Sequence, residues 1–146
     1  MIVRAIQPAD AAEWQRMRNA LVPSDDHEGE IAQFFAGTLL SPEAVFVIDR
    51  GDGTLAGLVE VGTRPYAEGC DSSPVGYLEM WWIDEDVRRR GHGAALVRVA
   101  EKWARNAGCT EMASDTELHN DRSLAAHQAL GFEEVERIIC FRKSLV

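Results

Sequence analysis

The chain has 146 residues, 15 Lys+Arg against 24 Asp+Glu, and a formal charge of −9. That length makes one domain, able to bury roughly two-thirds of its unfolded surface without disulfide or metal staples. An acidic balance disfavours nucleic acid and membrane surfaces as partners and favours a cationic one. No apolar run approaches the ~18 residues that a bilayer span needs, and the three cysteines, Cys70, Cys109 and Cys140, are odd in number and widely spaced. They resemble neither a disulfide framework nor a zinc site, so a reducing cytoplasm and no metal are expected.

In chain order, Met1 to Ile6 reads as a strand. Pro8 at a first-turn position opens a helix through about Leu21, with Ala11, Trp14, Met17 and Leu21 near helical spacing. An acidic loop with Asp25, Asp26, Glu28 and Glu30 follows, overlapping a second helix of about Gly29 to Leu40 that carries Ile31, Phe34, Phe35 and Leu39. Ala44 to Asp49 is a short β-rich run, and Gly51-Asp52-Gly53 turns it into Leu55 to Thr63, a hairpin signal. Arg64 to Pro74 is loop. Tyr77 to Ile83 is an apolar strand interrupted only by Glu79, and about Gly93 to Ala107 is a helix with Leu96, Val99, Ala100, Trp103 and Ala107 on one face. Glu111 to Asp115 is another strand, Asn120 to Leu130 a helix stopped by Gly131, and Phe132 to Arg142 a closing strand. The order β-α-α-β-β-β-α-β-α-β gives an α/β (α+β) class, a mixed central sheet with helices on both faces.

Between the apolar strand and its following helix stands Arg88-Arg89-Arg90-Gly91-His92-Gly93-Ala94. A strand, a glycine turn and a helix N-terminus together make an anion site, because the first amides of the helix lack internal partners. A Rossmann fingerprint would need a third glycine where Leu96 follows Ala94-Ala95, and a P-loop would need Gly-Lys-Ser/Thr. The Arg-x-x-Gly-x-Gly spacing resembles the pyrophosphate loop of the GNAT acetyltransferases, which bind acetyl-coenzyme A. The element order and Leu130-Gly131-Phe132 after the last helix also resemble that superfamily, whose fold is then expected.

Four side chains outside the loop carry candidate chemistry. By period-2 alternation Glu79 shares a face with Trp81 and Ile83; it is either a solvent-facing glutamate or a carboxylate that positions an amine or takes its proton. Asp115 ends the next strand, where open α/β sheets build sites, and also suits a helix cap or turn. Glu136 on the closing strand could make a third acid, and Tyr66 an aromatic wall.

A narrower resemblance rests on Tyr66, Gly69 to Val75, Leu78-Glu79, Gly108 to Thr116, His127 to Glu134, Glu136-Arg137 and Phe141 to Lys143. Together these are similar to the aminoglycoside 6′-N-acetyltransferases, cytoplasmic and usually dimeric enzymes that acetylate a primary amine of an antibiotic. The resemblance implies that Tyr66, Glu79, Asp115 and Glu136 face the substrate. It implies backbone contacts from Trp81, Trp82 and Ile83 to the pantetheine arm, a pyrophosphate held by Arg88 to Ala94, and Asn120 near the thioester. Val22 stands where these relatives carry a tryptophan against the antibiotic, and Phe141 where they carry a tyrosine. His127 falls at the tyrosine position associated with protonating the departing thiolate; it is either that acid or a helix-packing residue. Direct transfer in a ternary complex is expected, with Glu79 as base, Asp115 orienting the amine and a backbone N–H near Trp82 or Ile83 stabilising the oxyanion. Two other readings stand beside it: a GNAT enzyme for a polyamine or peptide N-terminus, and a non-catalytic acyl-CoA-binding module.

Overall fold

The computed structural model describes residues 1–146. Five strands lie in sheet order β1 (Ile2–Ala5), β2 (Ala44–Asp49), β3 (Leu55–Arg64), β4 (Val75–Ile83) and β5 (Met112–Ser114). The first three pairings are antiparallel and β4–β5 is parallel. A parallel pair needs a crossover, and α3 (His92–Asn106) supplies it.

Two apolar layers clasp the sheet. On one face α3 buries Leu96, Val97, Ala100 and Ala104 with Val59, Val61 and Leu78. Its buried stripe keeps the expected Leu96 and Ala100 but adds Val97 and Ala104, while Val99 and Trp103 are half-buried and Ala107 is exposed, because the sheet meets the helix slightly off its most apolar line. On the other face α1 (Ala11–Leu21) and α2 (His27–Ala36) cover Val45, Val47, Leu55 and Leu58. Trp14 anchors this layer, with Phe34 and Phe35 edge-on at centroid distances of 5.0 and 5.8 Å. Each fully buried apolar side chain stabilises the fold by roughly 1.5–3 kcal/mol. Pro8 opens a 3₁₀ turn, Pro8–Asp10, that runs into α1, and α4 (Asp121–Ala129) follows β5.

One charged group crosses into the second layer. Glu60 on β3 is only 2% exposed, and Arg18 of α1 is 3% exposed. Arg18 clamps both carboxylate oxygens at 2.8 Å, and the Trp14 indole N–H donates to Oε2 at 2.9 Å. The remaining Arg18 nitrogen reaches Glu30 at 2.5 Å. Buried charges persist only when hydrogen-bonded in this way. Glu30, of the expected acidic loop, lies in the first turn of α2 and is tied to Arg18.

Two features of the sheet shape the surface where a site can form. In the β3–β4 register Glu60 faces Met80 while Val61 faces Leu78, so Glu79 is the extra residue of a β-bulge. The bulge shifts side-chain parity. Leu78, Trp81 and Ile83 all pack toward α3, whereas Met80 and Trp82 pack toward α1 and α2. The expectation that Glu79 shares a face with Trp81 and Ile83 is thereby corrected. Second, β4 and β5 pair only over Gly76–Leu78 and Met112–Ser114, so the outer edge of β4 beyond Leu78 is open.

The expected closing strand at Phe132–Arg142 does not form. Residues 133–146 make no backbone–backbone hydrogen bonds and are exposed. A strand is stable only with a neighbour to complete its ladder, and this segment pairs with none of the five strands.

Candidate active site

The loop after β4 and the start of α3 build a receptor for an anion. Arg89 adopts a left-handed φ of 62° and Gly91 one of 83°, which bends the chain so that α3 begins at His92. The first helical bond runs from the Ala95 N–H to the Gly91 carbonyl. The amides of His92, Gly93 and Ala94 thus precede the helical ladder and have no internal acceptor, at the positive end of the helix dipole. A Cβ on Gly93 would sit 3.0 Å from Trp81 Cζ2; glycine lets this turn of helix press against the indole. Arg89 and Arg90 are exposed cations beside the amides. This set fits a pyrophosphate: unpartnered N–H donors, exposed cations and no Cβ in the way.

Arg88 does something else. Its Nε–H donates to the Ile83 carbonyl at 2.9 Å, and its guanidinium lies 5.0 Å from the Trp82 ring centroid. It fastens the loop to β4 through Nε, a brace that the sequence expectation did not include. Backbone direction revises a second expectation. The Asp84 N–H bonds to the Ala56 carbonyl, and antiparallel alternation then turns Trp82 toward β3 and Trp81 and Ile83 toward the open edge. Of the three, Trp81 and Ile83 present main-chain groups to the gap, Trp82 does not, and the Ile83 carbonyl is already taken by Arg88. The buried indole N–H of Trp81 has no partner within the chain.

On the other side of the gap lies a compact polar network. Arg64 at the end of β3 grips Glu79 through Nε at 3.0 Å and Nη2 at 2.7 Å. Its guanidinium carbon stands 3.5 Å from the Tyr77 ring centroid. The Tyr77 hydroxyl donates to Asp115 at 2.5 Å. Burial, and after it the bond to Asp115, push the Tyr77 phenol well above its ordinary range, so it remains a donor. Glu79 and Asp115 are thus brought into one network, linked by Tyr77 and Arg64. Neither linker was among the expected site residues; the signal available was an arginine ending the strand that pairs with the strand of the lone glutamate, where cross-strand opposite charges attract.

The remaining expected residues scatter. Tyr66 is 67% exposed in the loop after β3, and Val22 is exposed just past α1. Glu136 lies in the unpaired tail, and since that tail is not a strand the structure does not bring it to Glu79 and Asp115. Val135 beside it packs on Gly69, where a Cβ would stand 2.7 Å from the valine Cβ. Asn120 caps α4, its side-chain oxygen accepting from the Ser123 N–H at 3.0 Å. The half-buried His127 of α4 lies 2.7 Å from the Ser123 carbonyl through Nδ1 and 2.8 Å from Ser114 Oγ through Nε2. A carbonyl only accepts, so Nδ1 carries a proton toward Ser123, and Nε2 faces the Ser114 hydroxyl, which can donate or accept. Trp81 and Phe132 each lie 5.3 Å away edge-on, so His127 is packed between two rings as well as bonded to Ser123 and Ser114.

Residues 10–132 match the acetyltransferase (GNAT) family. The chain belongs to that family. This GNAT chain is 46% identical to the aminoglycoside N(6′)-acetyltransferase type 1 of Klebsiella aerogenes, over 99% of its own length and 97% of the relative's. It is 41% identical to the protein of the same name from Stenotrophomonas maltophilia, over 98% and 93%. Among solved structures it resembles AAC(6′)-Iy in complex with the bisubstrate analogue CoA-S-monomethyl-acetylneamine, at 37% identity and a TM-score of 0.86 over 98% and 97% of the two chains. Apo AAC(6′)-IG from Acinetobacter haemolyticus superposes over the full length of both chains with a TM-score of 0.90 at 32% identity.

Proposed function

We propose that this GNAT enzyme transfers acetyl from acetyl-coenzyme A to the 6′-amine of aminoglycoside antibiotics and thereby confers resistance. The observation that carries the reading is the pairing, across one open strand edge, of an amide-lined anion receptor with the Glu79–Tyr77–Asp115 network. The relatives named above support the same acceptor.

The α3 amides, Arg89 and Arg90 hold the donor's pyrophosphate, and the outward main-chain groups of Trp81 and Ile83 align its pantetheine arm. The acceptor arrives as an ammonium, whose pKa of about 10 leaves no lone pair for attack. Glu79 takes that proton, directly or through water, and Asp115, held by Tyr77, orients the nitrogen. The amine then attacks the thioester carbonyl in a ternary complex, the outward N–H at the open edge stabilises the oxyanion, and the departing thiolate takes the proton that the new amide nitrogen sheds. A thiol of pKa near 8.5 needs no dedicated acid, which agrees with the packing role of His127. Burial pushes the Cys70 and Cys109 thiols up, which makes both poor nucleophiles and argues against an acetyl-enzyme.

The enzyme works in the cytoplasm as a homodimer. Support for the dimer lies in the tail: Val135, Ile139 and Phe141 alternate on one side, with Ile138 and Cys140 on the other, and Ile139 and Phe141 are 78% and 93% exposed. A segment apolar on both sides suits a strand inside a sheet, and a second copy supplies that sheet.

Thiol release is measured with kanamycin, with paromomycin (a 6′-hydroxyl acceptor) and with spermidine. Turnover of kanamycin alone is expected. Turnover of spermidine without kanamycin overturns the acceptor, and no turnover of any amine, with acetyl-coenzyme A bound, leaves a binding module. Glu79→Gln should lower kcat/KM by about 10²-fold or more; unchanged turnover removes Glu79 from the base position.

A further inference from the structure

Within this acceptor reading, the carboxylate assigned to the incoming amine already holds a cation from its own chain. Both Glu79 oxygens are occupied by Arg64, and the same guanidinium covers one face of Tyr77. The two partners are unequally placed: the Arg64 side chain is 42% exposed and the Glu79 side chain 20%. Arg64 is the element free to leave.

We propose that Arg64 is a specificity gate, an internal stand-in for the substrate's ammonium that an acceptor must displace from Glu79. Displacement has two products. It frees the carboxylate oxygens to receive a proton, and it uncovers the Tyr77 ring as a platform for a sugar ring or a second ammonium. A bidentate guanidinium outcompetes one ammonium, which brings a single point charge to the same oxygens. A polycation offers several charges at once to Glu79, Asp115 and the uncovered ring. The gate therefore discriminates by charge number, rejecting monoamines and admitting multiply charged acceptors. The rise of the Arg64 pKa, caused first by its bond to Glu79, agrees with a guanidinium that stays charged throughout.

The test compares the parent with Arg64→Gln on kanamycin and on 6-amino-6-deoxyglucose, a monoamine with the same reactive group. The variant should lower KM for the monoamine by roughly five- to tenfold, with a smaller change for kanamycin and a smaller change in kcat. A merely structural arginine would move both acceptors in parallel, and that result overturns the gate. A second readout needs no variant. The ¹⁵N resonance of Arg64 Nε, assigned in the parent protein, should move to the position of a free guanidinium on titration with kanamycin. If kanamycin is not an acceptor at all, the antibiotic reading fails separately, and titration with spermine decides the gate: movement supports it, and an unmoved signal with both polycations overturns it.

Discussion

Tyr77 on β4 reaches Asp115 just past β5, and its hydroxyl donates to a carboxylate oxygen 2.5 Å away. The bond spans the point where the two strands stop pairing, so it fixes the width of the gap and the aim of Asp115 together. Tyr77→Phe should lower stability by about 1 kcal/mol in urea unfolding. It should lower kcat/KM by more than the loss of folded protein explains. Wild-type kinetics in a normally folded variant would show that Asp115 needs no such support.

At the other wall, Gly93→Ala places a methyl 3.0 Å from the Trp81 ring. The indole is flat and hemmed in by His127, so it yields little. A KM for acetyl-coenzyme A raised roughly tenfold, with a stability loss of about 1–3 kcal/mol, is the expected cost of overpacking. Gly91→Ala meets open space but a φ of +83°, which adds about 1–2 kcal/mol of backbone strain. Calorimetric titration with the donor separates the two, since unchanged affinity in Gly93→Ala would detach that contact from donor binding.

Acid stability offers a third test. Burial alone would push Asp84 up, but bonds from Arg16, the Trp82 indole N–H and Arg50 outweigh it and hold the carboxyl below its ordinary 3.8. Asp10 is lowered chiefly by Arg4. A carboxyl depressed in the folded state contributes its full stabilisation above its unfolded pKa and loses it as pH falls through the folded one. Unfolding free energy should therefore decline steadily below about pH 4, and Asp84→Asn should flatten part of that decline. An acid limb identical in parent and variant would contradict the assignment.

Much of this architecture was legible in the sequence. Strand β2 falls on Ala44–Asp49 as the alternation predicts, and the glycine turn before α3 announced the anion receptor. Glu79 and Asp115 stood out because each breaks its local pattern. Three things could not be read. A bulge leaves no mark in composition, so the faces of Glu79 and Trp81 were merged. Arg64 and Arg88 looked like loop cations, because their partners are set by strand register and by a main-chain carbonyl. The closing segment has a strand's alternation, yet pattern alone does not say which chain completes its ladder.

That segment supplies a fourth prediction. If the proposed dimer forms through this segment, replacing Ile139 and Phe141 together by Asp should give a monomer in size-exclusion chromatography with light scattering, with the far-UV spectrum retained; a parent that already runs as a monomer overturns the dimer. A dimer unaffected by both substitutions would place the interface elsewhere.

The bulge has a final consequence for anyone altering this strand. β4 is written in two reading frames, one before Glu79 and one after it, and only the spare residue reconciles them. Deleting Glu79 would set Leu78 beside Met80 in plain alternation, with Met80 and Trp82 still toward α1 and α2 and Trp81 and Ile83 still toward α3, so what it would erase is the bulge itself. In this sheet the proposed base exists only as the spare residue of a strand, so excising it straightens the edge that frames the site, whereas substituting it alters the carboxylate alone.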